Sequence, residues 1–113
     1  GLKLEEGRDL IERAVKQRPA SGFIVDSLGW AQYLAGEYKE AVETLERAVS
    51  LEPSDPTLND HLGDAYWKVG REREARFQWD HALGLDPAPE DRRKIEAKIA
   101  YGFNLAEALQ DRK

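Results

Sequence analysis

Residues 60–70 read DHLGDAYWKVG. The stretch reads as helix, with Gly63 in its middle, and glycine inside a helix costs about 1 kcal/mol relative to alanine. Something outside the helix has to offset that cost. A phosphate-binding glycine belongs in a loop ahead of a helix N-terminus, and Gly63 is mid-helix. The packing reason that remains becomes visible once the stretch is compared with the rest of the chain.

The segment SLGWAQYLAGEYKEAVETLERAVSLEP (27–53) aligns without gaps with HLGDAYWKVGREREARFQWDHALGLDP (61–87) at an offset of 34 residues. Leu28 matches Leu62, Gly29 matches Gly63 and Gly36 matches Gly70. Ala41 and Ala48 match Ala75 and Ala82, Leu51 matches Leu85, and Pro53 matches Pro87. Ala14 and Pro19 continue the register backward, so residues 3–19 read as the second half of an earlier unit. A repeat of this length indicates stacked supersecondary units.

Each unit divides into two helices. Ile24, Val25, Leu28 and Ala31 mark the first by their spacing, and Ala41, Val42, Leu45, Ala48 and Val49 the second. Gly36 and Gly70 punctuate the turns between them. Asp55 reads as an N-cap with Pro56 in the first helical turn, and Pro53 and Pro87 stop the preceding helices. Where two such helices cross, Gly29 and Gly63 against small alanines allow close approach, and the tight interdigitation this permits offsets the propensity cost.

The pattern resembles the tetratricopeptide repeat. It has 34 residues per unit, a Leu-Gly pair in the first helix, two alanines in the second and a closing proline. The resemblance covers residues 3–101, with a weaker likeness of the tail to the C-terminal end of long bacterial multi-repeat proteins. Val25 and Asn59 stand where the family has a large aromatic, Gln32 where it has tyrosine, and Gly7 where it has alanine. The resemblance implies an all-α right-handed superhelix. The expected organisation is one domain over 1–113: a second helix at 3–19, repeats at 22–53 and 56–87, a polar-faced capping helix at 89–102 and a short helix or tail at 104–113. Asn104 and Glu107 read as a capping box for that last element.

Composition excludes several functions. The net charge is -5 and apolar runs are short, which disfavours nucleic acid and membrane insertion. No cysteine is present, so disulfides and thiolate chemistry are excluded. The two histidines, His61 and His81, stand alone and are read as packing or surface residues. No metal, cofactor or catalytic set is expected. Gly1 opens the chain without a leader, which reads as an excised fragment, and the compartment stays open between cytoplasm and periplasm. The carboxylate-rich stretches read as solvated faces with pairs such as Glu12–Lys16, Glu43–Arg47 and Glu72–Arg76, and REREAR (71–76) as an outward face.

The resemblance places the first helix of each unit on a concave groove. Asp26, Asp60 and Lys94 share one register row, as do Trp30, Asp64 and Lys98, and as do Tyr33, Trp67 and Tyr101. These nine residues are the candidate partner-binding set, acidic and aromatic and turning basic towards the C-terminus. Tyr33, Trp67 and Tyr101 are read equally as a ligand ladder or as packing between units. Carboxylates at 26, 60 and 64 do not suit the subclass that clamps chaperone C-termini with lysines and asparagines. Trp79 aligns with Leu45 and is expected in the core, and Phe77 aligns with the solvent-facing Glu43. The implied function is a scaffold that binds a basic or apolar protein segment. The alternatives are a terminal structural cap and a homodimer formed through the N-terminal helix, where Leu10 and Ile11 would lack cover.

Overall fold

The computed structural model describes residues 7–13 and 21–104. Residues 7–13 are helical (α1) and are followed by α2 (Gly22–Leu34), α3 (Tyr38–Leu51), α4 (Pro56–Lys68), α5 (Glu72–Gly84) and α6 (Pro89–Tyr101). From α2 onward each helix packs on its successor, and α2 also meets α4. The architecture is an all-α superhelix of helical hairpins, α2–α3 and α4–α5, closed by α6. Expectations resting on residues 3–6, 14–20 and 105–113, including Ala14, Lys16, Pro19 and Glu107, lie outside the described residues.

Local chemistry explains the boundaries. Asp55 accepts a hydrogen bond from the Leu58 amide at 3.0 Å with Pro56 in the first turn, so α4 starts as its sequence dictates. Ser21 caps α2 in the same way, at 3.4 Å from the Ile24 amide. Both intra-hairpin turns use a left-handed glycine, Gly36 at φ 81° and Gly70 at φ 85°. Their hydrogen bonds are the same one unit apart: Glu37 N–H donates to Gln32 and Arg71 N–H to Tyr66, each at 2.9 Å. Asn59, fully buried where an aromatic was expected, donates its amide to Pro53 O at 3.2 Å and to Asp55 O at 2.8 Å. It ties down the turn between hairpins, a polar duty no aromatic could perform.

The core lies between the two layers of helices. Leu45, Ala41, Ala48, Ala65, Ala75, Trp79 and Ala82 are fully buried. The reason for the two mid-helix glycines is now geometric. A Cβ on Gly63 would stand 2.5 Å from Cδ1 and Nε1 of Trp79 and 3.1 Å from the Ala75 carbonyl. A Cβ on Gly29 would stand 2.6 Å from the Leu45 side chain. The space is therefore taken chiefly by a large residue from the facing helix, not only by the alanines anticipated from sequence.

One surface expectation is corrected, and the rest of the surface is defined by specific contacts. Arg76 does not pair with Glu72 on a solvated face; it reaches across to donate to the Ile99 carbonyl of α6 and covers the Trp67 ring at 5.7 Å. Arg71 donates to Glu74 at 2.6 Å and lies over the Tyr66 ring at 4.5 Å. Arg8 bridges Glu12 and Glu37, fastening α1 to the α2–α3 turn. Phe77 is exposed, stacked only loosely on His81 at 6.5 Å.

Trp79 is a rigid, fully buried ring and cannot move aside as the end of a leucine can. Gly63→Ala is therefore expected to destabilise the fold by about 1–3 kcal/mol through overpacking, despite alanine's higher helix propensity. Gly29→Ala should cost less. Urea denaturation of both variants checks this; a Gly63→Ala protein as stable as wild type would contradict the close-packing account.

Candidate functional site

The first helices of the units, α2, α4 and α6, lie side by side, and their facing side chains meet. Between α2 and α4, the His61 ring stacks on Trp30 at 3.9 Å and 14°, and Trp30 in turn stacks on Tyr33 at 4.4 Å and 6°. His61 Nδ1 lies 2.9 Å from Asp26 Oδ1. An ionised carboxylate only accepts, so Nδ1 carries the hydrogen and donates. Sequence reading left His61 alone; the structure gives it an aromatic and an acidic partner one unit away.

Between α4 and α6 the contact is ionic and buried. Lys98 Nζ donates to Asp60 Oδ1 at 2.6 Å and to Asp64 Oδ1 at 2.8 Å. Asp64 Oδ1 also accepts from the Trp79 indole Nε1–H at 3.0 Å. The ammonium sits 5.5 Å from the Trp79 ring and 5.7 Å from that of Phe103, within cation–π range. Phe103 is brought there by the chain reversal at Gly102, whose φ of 84° and ψ of 154° are essentially restricted to glycine. Phe103 is buried, stacks on Trp79 at 6.4 Å, and receives Lys68 at 5.0 Å on its ring.

The nine sequence candidates therefore divide. Asp26 and Trp30 join through His61, while Asp60, Asp64 and Lys98 close on one another. Lys94 stays at the surface, 3.7 Å from Glu90. The aromatic row is uneven: Tyr33 is buried, Trp67 is half-buried against Trp79 at 5.7 Å, and Tyr101 is exposed. Sequence reading passed over Phe23 and Leu34. With Ser27 and Trp30 they follow a 4-3-4 spacing that puts them on one face of α2, and both are largely exposed, at 53% and 60%. The spacing was readable; their exposure was not.

Burial sets the electrostatics of the ionic cluster. It pushes the Asp64 carboxyl up to about 6, against the pull of the Lys98 ammonium and with the help of the Asp60 charge. For Lys98, burial works against the ammonium, but Asp64 and Asp60 outweigh it and its pKa is raised above the usual 10.5. Two carboxylates face one ammonium, so the cluster keeps an unbalanced negative charge when all three are ionised. Among the described residues no group of three or more His, Asp or Glu side chains is arranged to hold a metal, and no helix is long and apolar enough to cross a membrane.

Because the folded-state pKa of Asp64 lies above the ordinary 3.8, the folded chain holds this proton more tightly than the unfolded chain. Its contribution to stability is greatest below the unfolded value and is lost as pH rises through the folded one. The stability of wild type relative to Asp64→Asn is expected to fall by on the order of 1–3 kcal/mol between about pH 4 and pH 7. Urea midpoints across that range check it; a flat or rising difference contradicts the burial-driven shift.

A family model described as TPR repeat matches residues 29–70. No curated protein matches the sequence. The fold is shared with several solved structures across most of the chain. The type III secretion chaperone SycD of Yersinia enterocolitica, in complex with a peptide of the translocator YopD, is 13% identical with a TM-score of 0.76, covering 96% of this chain and 82% of that one. PcrH in complex with the chaperone binding region of PopD is 14% identical with a TM-score of 0.75, covering 96% and 81%. MamA (MSR-1) is 24% identical with a TM-score of 0.70, covering 97% and 69%. At these identities the likeness shows the fold, a superhelix of helical repeats.

Proposed function

We propose that the chain, whose residues 29–70 match a TPR repeat model, is a non-catalytic scaffold holding a protein or peptide segment against its first-helix face. The observation that carries this reading is the α2 stripe of Phe23, Ser27, Trp30 and Leu34. Three of its four residues are apolar, Phe23 and Leu34 at its ends are largely exposed, and it lies beside the Asp26–His61 pair. Solvent-exposed aromatic and aliphatic side chains on one rigid face, next to a fixed charge, are what an interface core uses. Asp26 faces a histidine, and Asp60 and Asp64 share one lysine, so carboxylates outnumber lysines between these helices and favour a segment with basic residues. Two structures of the same fold hold a translocator peptide and a chaperone binding region, and this supports a peptide-holding role for the architecture.

In this reading Asp26, Trp30 and Tyr33 form the rim and wall of the partner site. Asp60, Asp64, Trp67, Lys94, Lys98 and Tyr101 form its C-terminal half. A second reading is self-association, favoured by the exposure of Leu10 together with Phe23 and Leu34. Sedimentation separates the two, since only self-association depends on the concentration of the chain itself.

Phage-displayed peptides selected on the full chain provide the test. Phe23→Ser combined with Leu34→Ser should weaken a selected peptide at least about tenfold, in the range of a hot-spot loss of 1–3 kcal/mol. Thermal stability should barely change, because exposed positions contribute little to it. Binding of the same peptide should also weaken as salt rises. Failure to select any peptide, or peptides indifferent to both substitutions, would overturn the reading.

A further inference from the structure

We propose that α6 is an internal ligand, and that the seat it occupies on α4 and α5 accepts a lysine-bearing amphipathic helix from a partner. The inference rests on the scaffold reading and names the chemistry of a second segment that such a scaffold takes.

The seat is built for an ammonium group. Asp60 and Asp64 supply two acceptors, at 2.6 and 2.8 Å from Lys98 Nζ, and Asp64 is held in place by the Trp79 indole N–H at 3.0 Å. The Trp79 and Phe103 rings flank the cation at 5.5 and 5.7 Å. Paired carboxylates with aromatic faces form a general solution for holding a cation. Three of these four groups belong to α4 and α5 and would stay behind if α6 left.

The helix in the seat is lightly held. Only Ile95 and Lys98 of α6 are buried, against seven residues each in α2 and α4. The polar attachments of α6 are the Arg76 bond to the Ile99 carbonyl, the long Arg92 bond to the Leu83 carbonyl and the buried ion cluster, whose attraction is largely offset by the cost of desolvating the charges. An element that buries little apolar surface opens at the low-stability end of a fold. A partner helix carrying an aliphatic residue and, three positions on, a lysine would reproduce the Ile95 and Lys98 anchors. The seat's excess carboxylate favours further basic residues in that helix.

The experiment uses the full chain and a fluorescein-labelled peptide of residues 88–104, APEDRRKIEAKIAYGFN, followed by anisotropy. Lys98→Ala in the chain loosens the internal helix and leaves the seat intact, so the variant should bind the peptide at least about tenfold more tightly than wild type. Ile95→Ala in the chain should give the same gain by a different route. Adding Asp64→Asn to Lys98→Ala should abolish binding, and the peptide made with Lys98→Ala should not bind. Hydrogen exchange on the wild-type chain should show α6 amides opening well before those of α4. Equal affinity for wild type and both loosened chains, no binding to either while they remain helical and unfold cooperatively, or α6 amides as protected as those of α4 would each overturn the proposal. If the internal peptide fails while phage-selected peptides still depend on Phe23 and Leu34, the internal-ligand idea falls and the scaffold reading stands.

Discussion

The contact between Gly63 and Trp79 governs the C-terminal half of the molecule. With no side chain at 63, the indole lies close against the α4 backbone, where even a methyl group would clash. A buried indole N–H needs an acceptor, and Asp64, the next residue along, provides it. A buried carboxylate in turn needs a cation, and Lys98 arrives from α6. The preceding unit has Leu45 at the position of Trp79 and Trp30 at the position of Asp64. Leucine needs no acceptor, so that position holds Trp30, and the buried carboxylate of that unit, Asp26, pairs with His61 and not with an indole and a lysine.

That difference gives the first-helix face two unlike halves. On α2 the apolar stripe is open and its one nearby carboxylate is paired with a histidine. Between α4 and α6 two carboxylates share one internal lysine, and the chain covers its own aromatics with Phe103 and Arg76. A buried ion cluster adds little net stability compared with an apolar replacement. What it supplies here is position: two acceptors and two rings fix where α6 can dock.

The fold was largely legible in the sequence because it rests on short-range rules. The spacing of 34, the glycine turns at 36 and 70, the Asp55-Pro56 start and the core place of Trp79 all follow from periodicity and local chemistry. The site was legible only as a set of rows. Register placed Lys98 in line with Asp64 and Lys94 in line with Asp60, but adjacent helices are staggered, and Lys98 takes both carboxylates while Lys94 remains outside. The same stagger joins His61 to Asp26, residues 35 apart in sequence. Which side chains pair across neighbouring helices depends on crossing angle and axial shift, and a repeat length specifies neither. Asn59 shows the other limit: its role depends on two carbonyls that only the folded turn brings within reach.

The Trp79 indole is locked between Gly63 and Asp64. Hydrogen exchange of its Nε1–H, followed by NMR, reads that lock. Exchange is expected only through global unfolding, at a rate set by overall stability, with a displaced indole resonance in Asp64→Asn. Exchange at the rate of a solvent-exposed indole, or a resonance indifferent to residue 64, would contradict it.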